Sequence, residues 1–288
     1  MDDAIIVSIV VTTYNHASFV TQTLDSIFMQ EVDFQYEVLI GDDMSTDGTQ
    51  RILEKYRDKY PEKVRLFLRN ENIGATKNSY YLFLEARGKH IALLEGDDYW
   101  IHPRKLQKQT VYLENNLGFI GCCHKFITVD SNGCPIQRKL SWVQHKRVFA
   151  LADFRGISLP SQPSTYVFRN IFLDKLNDYS FIYKTDIMIA DRTLIMLLLS
   201  LGDFFCFSDQ MGAYRIATHS ESITTRLYTN NPYAVQRDLE LTKKLEAVAR
   251  DVLKIKIAFG SHRRKLYIIA MVRYVKSVYR RFKRIVVK

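Results

Sequence analysis

Apolar, largely β-branched residues run almost unbroken through Ala4–Thr12 (AIIVSIVVT), the pattern of a central parallel strand buried on both faces. A helical spacing follows over Phe19–Gln30, with Val20, Leu24, Ile27 and Phe28 on one side. Tyr36–Ile40 (YEVLI) predicts a second strand, and Ser45 or Thr46 can cap a helix that runs to about Tyr60, where Pro61 stops it. Val64–Leu68 predicts a third strand, and Lys77–Arg87 a helix closed by Gly88 as its C′ residue. Ile91–Leu94 is a fourth short apolar run. This alternation argues for right-handed βαβ units and a mostly parallel sheet, an α/β fold.

The second half is less regular. Gly118–Val129 reads as a strand closed by a turn at Ser131–Pro135, Ser164–Phe168 as a short strand, and Phe204–Arg215 as strand material. Lys139–Pro163 mixes polar and apolar residues and could form a loop over the site. Asp186–Gly202 predicts a helix with a very apolar body, and Tyr233–Val252 a charged amphipathic one.

Three of the predicted strands end in polar clusters, at Thr12–Asn15, Asp42–Asp43 and Glu95–Asp98. In an open α/β sheet the ligand crevice lies at the carboxyl ends of the parallel strands. Glu95, Asp97 and Asp98 in one turn repel one another unless a cation or basic group sits among them. Oxygen ligands suit Mg²⁺ or Mn²⁺, which take one or two carboxylates and leave other positions to phosphate and water. On this stretch alone, an acidic N-cap cluster for the following helix fits as well.

Hydrophobic content of 47% with 12% aromatic residues is ample for a packed core and excludes global disorder. The four cysteines form no CxxC and have no His at zinc-finger spacing, so they read as reduced structural thiols of a cytosolic protein. Adjacent Cys122 and Cys123 point to opposite faces of their strand. The acidic start MDDAIIVSIVV is unlike a secretory signal, and no apolar run approaches a bilayer span.

The formal charge of +10 suggests nucleic acid until it is located. Residues 262–288 hold ten Lys and Arg and no acid; taking those ten from 41 leaves 31 basic against 31 acidic residues. The body is neutral. At helical spacing Ile268, Met271, Val272, Val275, Val278, Phe282 and Val286 share one face of the tail. Lys265, Arg273, Lys276, Arg280, Lys283 and Arg284 share the adjacent one. That profile fits a helix lying in an anionic membrane surface. A helix packed on the body with a solvated basic face is the plainer alternative, and no nucleic-acid module accompanies the charge.

The stretches VSIVVTTYNHASFVTQTLDSI, EVLIGDDMSTDGT, NIGATKN and LLEGDDYW, in that order, resemble the family 2 glycosyltransferases of GT-A fold. More thinly, IADRTLIMLLLSLGD resembles that family's acceptor-side helix and YRIATHSESI its YR-x-H-x-x-S segment. The resemblance implies a Rossmann-like, mostly parallel sheet flanked by helices over residues 1–230, with a nucleotide-binding half (1–100) and an acceptor half (101–230). Residues 231–288 would then be a C-terminal helical extension.

Residue by residue, it implies that Thr12 and Tyr14 hold the base and ribose, that Asp42 bonds the uracil ring and that Lys77 lies near the diphosphate. Glu95 would face the ribose, and Asp97 would ligate Mn²⁺ or Mg²⁺. Asp191 would be the catalytic base, and His219 would approach the metal or diphosphate. Glu95 departs from the family's Asp and lengthens the arm, and Ala190 stands where Glu often precedes the base. Each residue also has a plainer reading. Tyr14 could pack over the sheet edge, Lys77 could be solvated, and His219 could be a lone loop histidine. Asp191 could be only a helix-terminal acid, with Asp186 as rival base.

The implied function is an inverting, metal-dependent transfer of a sugar from a UDP-sugar to a glycan or lipid-linked glycan acceptor, in surface polysaccharide assembly. The enzyme would work in the cytoplasm, peripherally on the inner face of the cell membrane. A non-catalytic nucleotide- or carbohydrate-binding protein on the same fold is the alternative. A nucleotidyltransferase would need a Gly-rich phosphate loop where TTYNHAS stands. A processive synthase would need transmembrane helices and a QxxRW-like segment, neither of which is found.

Overall fold

The computed structural model describes residues 4–138, 140, 142–144, 146–156, 158–186, 191–216, 233–269 and 271. Its first part alternates as the hydrophobic pattern predicts: β1 (Ile5–Thr13), α1 (Val20–Phe28), β2 (Gln35–Asp42), α2 (Thr49–Lys59), β3 (Val64–Leu68), α3 (Ala75–Glu85) and β4 (His90–Glu95). β1 pairs in parallel with β2 and β4, and β2 with β3. These strands are apolar because both faces are covered. Val7, Ile9, Val11, Val38, Ile40, Ala92 and Leu94 pack with Leu24 and Ile27 of α1 and Leu53 of α2. Val10, Leu39 and Ile91 face the other way, against Tyr80 and Phe83 of α3.

The chain then turns through β5 (Tyr99–Trp100) into α4 (Lys105–Asn115) and β6 (Phe119–Val129). β7 (Pro135–Ile136), β8 (Val148–Phe149), the one-turn α5 (Leu151–Phe154) and β9 (Val167–Arg169) follow. After them come α6 (Phe181–Thr185), α7 (Asp191–Leu199), β10 (Asp203–Arg215) and α8 (Ala234–Ala247). The main path of the sheet runs β3-β2-β1-β4-β9-β6-β10-β5. β9 is antiparallel to both β4 and β6, whereas β6 and β10 are parallel. Cys122 and Cys123 of β6 enter opposite cores, as strand alternation requires. Leu241 and Leu245 of α8, with Val248 and Phe259 beyond it, join the core on the α3 face, so this part of the chain is seated on the same body.

Three local expectations change. α2 begins at Thr49, not after Ser45 or Thr46: Asp47 accepts the Thr49 N–H (3.0 Å) and hydroxyl (2.6 Å), leaving Ser45 free to bond Asp42. Gly88 is no left-handed cap, because α3 ends in extended Ala86. A Cβ at Gly88 would lie 2.5 Å from the Ser8 N, so close approach to β1 is what calls for glycine. Asp186 is extended at the end of α6 rather than helical, and the described part of the next helix starts at Asp191.

Candidate active site

Register brings the three polar strand ends to one edge. Thr12 stands opposite Gly41 on one side and Glu95 on the other, and Thr13 opposite Asp42. The Gly96 N–H donates to the Thr12 carbonyl (2.9 Å), folding the acidic turn back over β1. A side chain at Gly96 would strike His16 and Thr13 at 2.6 and 2.7 Å, so only glycine lets the turn close. His16 Nδ1 is buried there with no hydrogen-bond partner among the described residues. Backbone strain gathers at the same edge: Asn15 (φ 55°) and Met44 (φ 66°) are left-handed without being glycine.

Glu95, Asp97 and Asp98 present carboxylate oxygens all within 4.8 Å of one another. The nearest following helix starts at Lys105, so these acids do not cap it. Asp98 is buried, and its oxygens are committed. One accepts the Arg215 N–H (2.9 Å), the other Ser164 Oγ and Gln162 Nε2 (2.7 Å each). Burial, then repulsion by Asp98, Asp97 and Asp191, holds the Glu95 carboxyl well above the usual range. Burial and Asp97 do the same to Asp98. Carboxyls that resist ionisation because they crowd one another are what a divalent cation relieves, so this donor set fits Mg²⁺ or Mn²⁺.

Asp191 opens α7, whose following residues, Thr193–Leu199, are buried. Burial pushes its carboxyl up to about 6, against the neighbouring Arg192 guanidinium, and it adds to the field felt by Glu95. The rival Asp186 accepts Arg237 Nη2 at 2.6 Å. His219 lies outside the described residues.

Tyr14, just past the end of β1, is 43% exposed. Lys77, on the first turn of α3, places its Nζ 5.8 Å from the centre of the Tyr81 ring. Asn78 beside it is buried, donating to the Gly41 carbonyl (2.8 Å) and accepting from Arg69 (3.1 Å), which locks α3 to the end of β2. Asp42 is fully buried and takes four donors from within the chain: Thr13 Oγ1, the Ser45 N–H and hydroxyl, and Gln50 Nε2. Its geometry is that of a brace between β1 and the loop after β2. Asp43 clamps the Ile73 and Gly74 N–H groups (2.8 and 2.9 Å), and burial raises its carboxyl.

The residue that sequence reasoning missed is Arg215, the last of β10. Its Nε donates to the Asp97 carbonyl (2.8 Å), Nη1 to the Asp130 and Ser131 carbonyls (3.1 and 2.9 Å), and Nη2 to Gln22 Oε1 (2.7 Å). The guanidinium lies over Phe19. It fastens the acidic turn to α1 and to the β6–β7 turn. Its place in YRIATHSESI was the available signal.

The glycosyl transferase family 2 model matches residues 8–175, and the chain belongs to that family. It is 32% identical over 226 residues to EpsE of Bacillus subtilis, named as a glycosyltransferase, covering 77% of each chain. It is 39% identical over 146 residues to the protein Rv1520 of Mycobacterium tuberculosis, covering 50% of this chain and 42% of that relative, so the match spans less than half of Rv1520's length. Among solved structures, Staphylococcus aureus TarS 1–349 in complex with UDP-GlcNAc superposes with a TM-score of 0.60 at 20% identity, over 94% of this chain and 73% of that one. TarS is named a poly(ribitol-phosphate) β-N-acetylglucosaminyltransferase. At that identity the likeness establishes the fold, a mostly parallel sheet flanked by helices as in the GT-A structures.

Proposed function

We propose that the protein is an inverting glycosyltransferase that moves a sugar from a UDP-sugar to a surface-glycan acceptor. The observation that carries this reading is the Glu95–Asp97–Asp98 cluster at the carboxyl ends of parallel strands, within the electrostatic reach of Asp191. Asp191 takes the proton of the acceptor hydroxyl. The oxygen attacks the anomeric carbon as the bond to the diphosphate oxygen breaks, its electron pair leaving on UDP. One displacement inverts the centre and needs no enzyme nucleophile. Asp97, with Glu95 beside it, would hold Mn²⁺ or Mg²⁺, which supplies charge neutralisation for the departing diphosphate.

We assign Thr12 and exposed Tyr14 to the nucleoside and Lys77 to the phosphates, with Asp42 bracing the loop beside them. His219 is proposed as a further metal or diphosphate contact. An acid at Asp191 whose charge reaches Glu95 is the feature that favours turnover over a binding protein on the same fold.

With Mn²⁺ and a panel of UDP-sugars, we expect slow UDP release from one donor. We expect Asp97→Ala to lower that release roughly a hundredfold or more, since charge neutralisation by a metal is worth several kcal/mol. Failure of UDP to bind at all would remove the nucleotide-site assignment.

The acceptor is proposed to be a lipid-linked glycan met at the cytoplasmic face of the membrane. Support comes from the basic tail and from the helical stretch 260–269, which buries His262 and Leu266 on the body. Beyond them Tyr267, Ile268 and Met271 are 55%, 62% and 68% exposed, an uncovered apolar stripe among cations. Among the described residues no helix is long and apolar enough to cross a membrane. Vesicles containing phosphatidylglycerol are expected to sediment the protein, and an Ile268→Asp, Met271→Asp double variant to stay in the supernatant. Equal sedimentation of both proteins would contradict surface binding by the stripe.

A further inference from the structure

α8 gives way to a π-helical turn (Val248–Val252), and after left-handed Lys254 (φ 55°) the chain runs on without regular structure to Phe259 before becoming helical at 260. Along this run apolar and basic residues alternate. Ile255 and Ile257 pack against the core and Phe259 is buried, while Lys254 and Lys256 face outwards. Between the run and the end of α8 lies a groove of about 390 Å³, whose floor includes Ile255, Ile257 and Phe259. Arg250, Lys256 and Arg263 line it, with a single carboxylate, Glu246. Glu246 is already held by Arg263 (2.9 Å), and Arg250 pairs with Asp251 outside the groove. Lys256 makes no ion pair among the described residues. The groove therefore has a net positive rim over an apolar floor, and it shares no residue with the Glu95 cluster.

An ordinary polar metabolite has no use for that floor, and an apolar ligand none for that rim. An amphiphile with one phosphate at the junction uses both. Arg263 of the rim stands one helical turn before Tyr267, on the stretch that exposes Tyr267, Ile268 and Met271, so a headgroup seated in the groove could keep its chains in the same layer as that stripe.

We propose that this groove binds the phosphodiester headgroup of an anionic phospholipid, adding a specific site to the general attraction of the basic tail. The orientation given to the lipid rests on the membrane reading above; the headgroup site itself is tested without a membrane.

The test is calorimetric titration of the full chain with dihexanoyl phosphatidylglycerol below its micellar concentration. Saturable binding is expected, weakened about tenfold by Lys256→Glu, as reversal of one lipid-facing charge implies. Ala258→Trp, at an exposed lining position, is expected to fill the groove and reduce binding without changing charge. Dihexanoyl phosphatidylcholine is expected to bind more weakly. Inorganic phosphate binding as tightly as the lipid would overturn the proposal in favour of a free-phosphate site. Absence of saturable lipid binding, or equal affinity in both folded variants, would overturn it outright. Loss of vesicle sedimentation in the Ile268→Asp, Met271→Asp variant with the short-chain lipid still bound would uphold the groove. Lipid binding that survives while wild-type sedimentation is absent would sink the membrane reading alone.

Discussion

Replacing Asp191 by Asn is expected to lower turnover by about 10²–10⁴-fold, the range a positioned general base contributes, while UDP affinity stays unchanged. Asn keeps the size of the side chain and its place at the head of α7, so the fold has little to lose. The pH dependence gives the sharper test. Burial holds the Asp191 carboxyl up at about 6, and a base must be ionised to accept the hydroxyl proton. Turnover is therefore expected to rise with pH through about 6 and level off above it. The variant's residual rate should lack that limb. Asp186→Asn should retain it, because Asp186 is tied to Arg237. A wild-type profile that is flat across this range, or an Asp191→Asn variant with full turnover, would remove Asp191 from the chemistry.

The same shift acts on stability with the opposite preference. Between the ordinary 3.8 and about 6, the unfolded chain gives up this proton while the folded one retains it. Its contribution to stability thus falls as pH rises through that window.

What was legible in the chain follows from which interactions are local. β1, β2 and β4 announce themselves because a parallel strand covered on both faces is mostly apolar, and each ends in polar residues where the sheet's edge begins. The Glu95–Asp98 turn was visible for the same reason. The antiparallel insertion of β9 between β4 and β6 was not, since its three residues carry no pattern that names two partners far away in sequence. Nor did spacing reveal how the acids divide their work. Within the acidic turn Asp98 reads as the equal of Asp97, yet its oxygens are spent on in-chain donors, Ser164 and the Arg215 N–H among them, as those of Asp42 are on Ser45 and Gln50. Only three-dimensional placement shows which carboxylates remain available. Lys105 shows the same limit: nothing in its sequence neighbourhood marks it for burial, yet it is fully buried, 3.8 Å from the centre of the Trp100 ring, and burial brings it down to about 7.

Arg215→Met is the substitution expected to cost the fold most, about 3–5 kcal/mol, measurable as a fall in the urea midpoint. Met has a similar length and fills the space beside Phe19, so the loss isolates the guanidinium. Four hydrogen bonds from a buried charge disappear together, taking the guanidinium donor from the Asp97 and Ser131 carbonyls and Gln22 Oε1 and leaving the Asp130 carbonyl only the Gly133 N–H. Each such bond to a charged group contributes more than a neutral one, but their losses do not simply add. Arg215→Lys keeps the charge without the planar fork and is expected to recover only part of the midpoint.

The electrostatic consequence separates this role from packing alone. Arg215 draws the Asp98 carboxyl down against burial and Asp97. Without that cation the cluster repels itself more strongly, so Mn²⁺ should raise the variant's thermal midpoint by more than it raises the wild type's. An unchanged urea midpoint would show that the bonds are dispensable, and an equal response to Mn²⁺ would show that Arg215 contributes nothing to the cluster's charge balance.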